Sequence, residues 1–170
     1  MRGDITAIFL SHNNGTLESL ISTDKLNKLL EFPNTWYASY SRKTKSYYAC
    51  GNITISNGSR RLTSIHRWIM ENPKNMIVDH INHDTLDNTS DNLRNLTNAQ
   101  NMQNRKGAAS NSSSGVRGVN WHKQSQKWNV QLRIDGKRMS FGYFEDIEEA
   151  KSAAIHARNQ HMPYATDNIA

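Results

Sequence analysis

"VDHINHDTLDNTSDNLRNLTNAQNMQNRK", residues 78–106, decides how this chain is read. Beyond Val78-Asp79-His80-Ile81 it is sparse in apolar side chains and holds four aspartates and seven asparagines across its length. A core element does not look like this, because buried polar groups cost free energy unless they are bonded. "NMIVDHI" and "LRNLT" read as short strands, and "NHDTLDNTSDN" between them has loop-forming residues almost throughout. From Thr97, an acceptable N-cap, "TNAQNMQNRK" reads as helical. The order is strand, long polar loop, strand, helix. Neighbouring side chains on a strand point to opposite faces. Asp79 and His80, side by side at a strand end, can therefore hold a cation and a base next to it. Asn92 follows His80 by 12 residues and Asn101 follows it by 21. The Asn92 amide suits the bracing of the loop, and Asn101 offers an oxygen of the kind hard divalent cations take. Asp and Asn are also ordinary loop residues, and a lone histidine is commonly a surface one. The functional reading rests on all four standing in register.

Working outward, the formal net charge is +6, which favours a polyanionic partner. Its distribution is uneven. Residues 1–77 carry ten Lys/Arg against five Asp/Glu, residues 78–104 one against four, and residues 105–170 ten against six. An acidic island between basic flanks is what a cation site facing an anionic substrate requires, and a solvated loop is the alternative. The apolar fraction is 36% and the mean hydropathy −0.77, lean for one large core and better suited to two small ones. The one cysteine, Cys50, excludes an intramolecular disulfide framework and a cysteine zinc site. An EF-hand is excluded because the loop has no Gly and no Glu. No signal peptide or membrane span is expected, which predicts a cytoplasmic protein.

Upstream, "ITAIFL" (5–10) reads as a strand. Leu17, Leu20, Ile21, Leu26, Leu29 and Leu30 stand at near-helical spacing and predict a helix that Pro33-Asn34 ends. "TWYASYSRKTKSYYACGNITIS" predicts two strands with "SRKTKS" at the hairpin tip, and "SNGSR" a second turn. Leu62, Ile65, Ile69 and Met70 predict a further helix ending before Pro73.

Residues 62–106 resemble the HNH endonuclease motif of phage-type homing endonucleases, with "IHRWIM" similar to the helix that precedes it. The resemblance implies a ββα-metal hairpin. It implies His80 as general base, Asp79 and Asn101 as ligands of one divalent metal per active site, and Asn92 as the bracing asparagine. Asn101 in the third motif position makes Mg²⁺ (or Mn²⁺) the expected ion rather than zinc. A neutral histidine near its ordinary pKa can take a proton from water at physiological pH. Arg67, Arg94, Arg105 and Lys106 are candidate phosphate contacts, with a structural salt bridge as the alternative for Arg67 and Arg94. His83 is expected at the loop surface, with a spare ligand or a place at the active-site mouth as the alternative, and His66 is expected to pack against the hairpin, with a catalytic role as the alternative.

Beyond the Gly/Ser-rich stretch 107–114, expected to be a flexible linker, three strands and a helix follow. Trp128, Val130, Leu132 and Ile134 alternate with Asn129, Gln131 and Arg133, and Met139 and Phe141 with Arg138 and Ser140. The apolar faces match an alanine face at Ala150, Ala153, Ala154 and Ala157. The opposite face is basic and amide-rich, as major-groove readout requires. An ordinary solvated sheet face is the alternative. "VRGVNWHKQSQKWNVQLRIDGKRMSFGYFEDIEEAKSAAIHA" resembles an APETALA2-type DNA-binding domain. That resemblance implies DNA contacts at Arg117, Gln131, Arg133 and Arg138. Asn120, Trp121, His122, Lys123, Lys127, Lys137 and Ser140 join the candidate set. Asn120 and Ser140 depart from the plant family's Arg and Trp, so base preference does not carry over.

The expected fold is α+β: a ββα-metal hairpin plus a three-stranded antiparallel sheet with one helix. The expected domains are 1–106 (motif core 62–106), a linker at 107–114, a DNA-binding domain at 115–161 and a frayed tail at 162–170. The expected function is site-directed cleavage of double-stranded DNA, nicking as a monomer in a bacterial or phage-infected cell, with no small-molecule cofactor and no membrane partner. The alternative is a non-catalytic DNA-binding transcriptional regulator. An RNA-binding role is disfavoured, since nothing resembles an RNA module.

Overall fold

The computed structural model describes residues 4–12, 15–71, 73–105 and 107–166. The chain divides into two compact units, residues 1–97 and 98–170. Lys106, a candidate phosphate contact, lies outside the described residues.

In the first unit the elements run β1 (Ile5–His12), β2 (Gly15–Ser22), α1 (Leu26–Leu30), β3 (Tyr37–Ser41), β4 (Ser46–Thr54), β5 (Arg60–Ser64), α2 (Ile65–Ile69), β6 (Ile77–His80), β7 (Asp87–Asn88) and β8 (Leu93–Leu96). Among the described residues they form a sheet in the order β5-β4-β3-β1-β2-β7 and a separate β6–β8 pair. The two are covered by one core: Leu10, Ile21, Leu29, Ala49, Ile65, Ile69, Val78 and Leu93 are buried together. Removing that apolar surface from water is the main stabilising term. Phe32 stacks on Trp36 at 3.8 Å and meets Trp68 edge-on at 5.2 Å. Gly51 in β4 makes room for this cluster, because a Cβ there would stand 2.5 Å from the Phe32 ring. One contact bears directly on the polar loop. β7 pairs in parallel with β2, Leu20 opposite Asp87 and Ile21 opposite Asn88.

Two of the expected helices are corrected. Residues 15–22 are a strand, in antiparallel register with β1 from Ile5↔Ser22 to His12↔Gly15. The inward positions include Ser19 and Ile21, both 0% exposed, with Leu17 half-buried. A buried serine in the middle of the alternation disguises period two as helical spacing. Only Leu26–Leu30 keeps the expected helix. Likewise Leu62 is a strand residue opposite Asn52, and the helix begins at Ile65. Strand, turn and strand at 37–54 follow the expectation, as do β6 and β8.

The second unit opens with α3 (Asn98–Asn101) and a 3₁₀ turn at Met102–Asn104. There follow β9 (Val119–His122), β10 (Lys127–Ile134), β11 (Lys137–Phe144) and α4 (Ile147–His161), with the sheet order β11-β10-β9. Asp135 and Gly136 both have positive φ (48° and 79°), the backbone of a tight hairpin. Asp146 caps α4, its carboxylate accepting from the Glu148 and Glu149 N–H groups, a device that stabilises a helix by about 1 kcal/mol. Val119, Val130, Ala150 and Ala154 form one core cluster, and Leu132, Ala157 and Met162 another. The alanine face packs as expected.

β11 departs from strict alternation. The register slips between Asn129↔Tyr143 and Gln131↔Ser140, placing an extra residue in β11. Such a bulge flips the side chains beyond it. Phe141 and Phe144 therefore both pack toward the core, while Met139, before the bulge, stands opposite Leu132 on the expected face and is still 42% exposed. Gly142 accommodates the bulge at φ 122°, with the Phe144 ring 3.2 Å from where a Cβ would stand.

The described parts of the expected tail and linker carry bonds of their own. Met162 is 6% exposed, Tyr164 OH accepts from Gln100 Nε2 at 2.9 Å, and Thr166 Oγ1 donates to Asn104 at 2.6 Å. Residues 162–166 therefore bind the α3 segment. Residues 167–170 lie outside the described residues. In the Gly/Ser stretch, Ser112 N bonds Ala109 O, and Ser114 Oγ donates to Val119 O and accepts from Val116 N. Short hydroxyl side chains can knit a turn locally, which composition alone does not reveal.

Candidate active site

β6 and β8 pair antiparallel, with Asp79 opposite Arg94 and His80 opposite Leu93. The alternation sends Asp79 and His80 to different faces. Asp79 meets Arg94, whose Nε and Nη2 both reach Oδ2, at 3.0 and 2.9 Å. Arg94 is thus in the salt bridge that the sequence left as the alternative to a phosphate contact. His80 goes the other way and is 6% exposed. Its Nε2 lies 3.1 Å from Asn88 Oδ1. The His66 ring packs edge-on against it at 4.8 Å, and Tyr48 lies near both rings.

The loop from 81 to 92 is a chain of side-chain-to-backbone bonds. Asn82 Oδ1 accepts from Asp84 N, Asp84 Oδ1 from Leu86 N, and Asp87 Oδ1 from Thr89 N. These are Asx turns, the reason Asn and Asp favour such backbone. Asn92 closes the loop: it accepts from Asn82 N at 2.9 Å and donates to Asp87 O at 2.7 Å. It is 6% exposed. His83 sits half-buried in this loop with a φ of 65°, its N–H on His80 O.

Burial pushes the pKa of His80 below its ordinary value. The Asn88 bond and the charges of Asp79, Asp84 and Asp87 oppose that shift. His66 is lowered to about 3, first by burial and then by repulsion from His80 and Arg67. Its Nε2 is 2.9 Å from Ser64 Oγ. A neutral imidazole is the form that accepts a proton.

Asp79, His80 and Asn92 thus belong to the first unit, while Asn101 is carried by α3 of the second. Arg67 is exposed on α2, and Arg105 is exposed after the 3₁₀ turn. Sequence reasoning missed Ser19, Ser64, Tyr48 and Asn88. Asn88 is one of many polar loop residues, and Ser19 is remote in sequence, so no local signal marks either. Among the described residues, Asn95 in β8 keeps a buried Oδ1 without a partner.

Residues 61–103 match the HNH endonuclease family model. The match covers about a quarter of the chain and includes His66, Asp79, His80, Asn92 and Asn101. It supports an HNH nuclease, a hydrolase that acts on DNA. No curated protein and no solved structure matches the chain. Among the described residues no helix is long and apolar enough to cross a membrane.

In the second unit the register sorts the candidate DNA contacts. Asn120 stands opposite Asn129, His122 opposite Lys127, Gln131 opposite Ser140 and Arg133 opposite Arg138. By alternation these share the sheet face turned away from α4. Trp121 pairs instead with Trp128, ring centroids 4.9 Å apart, and Lys137 with Ile134. Lys123 lies in the turn after β9. Arg117, expected to reach DNA, turns inward. Its guanidinium donates to the carbonyls of Met102, Gln103 and Arg105 at 2.8–3.0 Å, closing the end of the α3 segment. Arginine suits this task because its planar fork serves several carbonyls at once.

Proposed function

We propose that this protein is a site-directed DNA endonuclease of the homing type, in which the β6–β8 hairpin cuts and the β9–β11 sheet sets position. The observation that carries the reading is His80, held at a strand end beside Asp79 inside the segment that matches the HNH family.

His80 is the general base. It takes a proton from water as the water oxygen bonds to phosphorus. The P–O bond opposite breaks, and its electron pair leaves with the departing oxygen. Among the described residues no three His, Cys, Asp or Glu side chains form a metal cluster. The donor chemistry still fits a hard cation that needs few protein ligands. Asp79 is a carboxylate at a strand end, the hard oxygen donor such a cation takes. Asp79 and, by motif register, Asn101 would hold one Mg²⁺ or Mn²⁺ ion, which supplies charge against the phosphate and leaving oxygens. Asn92 holds the loop that carries the acidic residues. One such site in a monomer nicks one strand. The outer face of β9–β11 enters the major groove in the APETALA2 manner, with Arg133 and Arg138 toward guanine and Gln131 toward adenine. The setting is the cytoplasm of a bacterial or phage-infected cell.

The test is a supercoiled-plasmid assay on candidate target DNA with Mg²⁺, Mn²⁺ or chelator. Wild type should give metal-dependent open circles, and His80→Ala should lose at least about 10²-fold in rate while binding DNA as before. Cleavage by His80→Ala at the wild-type rate would falsify the assignment of the base. Binding that ignores chelator, with no cleavage of any substrate, would point to a regulator.

A further inference from the structure

Asn88 and Ser19 are both fully buried polar residues with no part in the mechanism above. They are joined in one line of hydrogen bonds that ends on His80. Ser19 Oγ lies 2.8 Å from the Leu86 carbonyl oxygen, Asn88 Nδ2 lies 2.8 Å from Ser19 Oγ and 3.3 Å from the same carbonyl, and His80 Nε2 lies 3.1 Å from Asn88 Oδ1. The direction of every link follows from the Leu86 carbonyl, which accepts and never donates. Ser19 therefore donates its one proton to Leu86 O, and its oxygen accepts from Asn88. The amide edge facing Ser19 is then the NH₂ group, and the edge facing His80 is the oxygen. An oxygen there requires a proton on His80 Nε2. A neutral imidazole has a single N–H, so Nδ1 carries the lone pair.

We propose that Asn88, oriented by Ser19, is a positioning residue that holds His80 in the Nε2–H tautomer and makes Nδ1 the nitrogen that receives the proton from water. The consequence for cleavage rests on the nuclease reading, while the tautomer rests on the bonds alone. The N-terminal sheet gains a purpose from this. β2 delivers Ser19, and its parallel pairing with β7 sets Ile21 opposite Asn88. The loop that carries Asn88 is thus referenced to the main sheet as well as to its own hairpin.

The experiment is ¹⁵N NMR of the full chain with labelled histidine at pH 8, beside steady-state nicking kinetics. Wild-type His80 should show a protonated Nε2 and an unprotonated Nδ1. Asn88→Leu removes the acceptor. It should give a mixed tautomer signal and a kcat lower by roughly 10–100-fold, the scale for loss of a group that orients a histidine ligand or base, with KM for DNA unchanged. Asn88→Asp restores an oxygen facing Nε2 and should recover the signal and most of the rate. Ser19→Ala leaves the acceptor in place but frees the amide to turn. It should show a smaller loss in the same direction, and it serves if Asn88→Leu does not fold. A wild type protonated at Nδ1, or variants that keep the wild-type signal and kcat, would overturn the proposal. A wild type with the expected signal that nicks no DNA in any divalent metal would support the tautomer and overturn the nuclease reading.

Discussion

In the β6–β8 hairpin the polar side chains that matter are buried and bonded. His80, Asn88 and Asn92 are each at most 6% exposed, and each bonds a neighbour. On the outer face of β10 and β11, Arg133, Arg138 and Ser140 are exposed. Arg133 makes a bond to Gly136 O, and Ser140 reaches Asn129 at 3.2 Å. Both regions are polar, and the proposed function gives them different tasks. Bond cleavage needs a base held in one geometry and one tautomer, which only a satisfied buried network supplies. Groove recognition needs charge within reach of phosphates and base edges, and long exposed side chains supply that. The same residue type follows the rule of its region. Arg94 and Arg117 are engaged inside, Arg133 and Arg138 stand outside.

That contrast can be broken in stages. The largest effect should come from Arg133→Ala with Arg138→Ala. The pair should weaken binding to the target by roughly 2–6 kcal/mol, at 1–3 per specific base contact, while nicking at saturating DNA is unchanged. A footprint or gel-shift titration checks it, and loss of kcat with binding intact would erase the division of labour.

Next is pH. The folded His66 has a pKa near 3 against an ordinary 6.5, because it is buried neutral. The unfolded chain takes up that proton first. Stability is therefore complete above pH 6.5 and falls as the pH drops from there toward 3, by on the order of 4 kcal/mol. Denaturant unfolding at several pH values should show this slope, and His66→Gln should flatten it. A wild type equally stable at pH 4 and pH 7 would contradict the burial of a neutral His66. The smallest effect expected is Asn92→Ala, which leaves Asn82 N–H and Asp87 C=O without their partner. It should cost about 2 kcal/mol in global unfolding and leave the binding face untouched.

Much of the second unit was legible. Alternation in β10 and the alanine spacing of α4 are strong local signals, and Val130, Leu132, Ala150 and Ala154 are buried as the pattern requires. The bulge in β11 was not legible, because one inserted residue inverts a period-two reading and only the pairing register reveals it. The β2 strand was missed for a related reason. Ser19 is polar at an inward position, and its burial is compensated by Leu86 and Asn88 from a distant part of the chain.

The sequence by itself determined the candidate chemistry: Asp79 beside His80, Asn92 and Asn101 at fixed spacings, a polar loop between two short strands, and a basic, amide-rich sheet. These are properties of residue type and local order, which spacing encodes directly. Only the tertiary structure decided that Arg94 faces Asp79, that Arg117 closes a helix end rather than pointing outward, and that Ser19 and Asn88 stand behind His80. Each depends on groups brought together across long stretches of chain. Such pairings are selected by burial and hydrogen-bond satisfaction in the folded core, and a linear pattern carries no record of them.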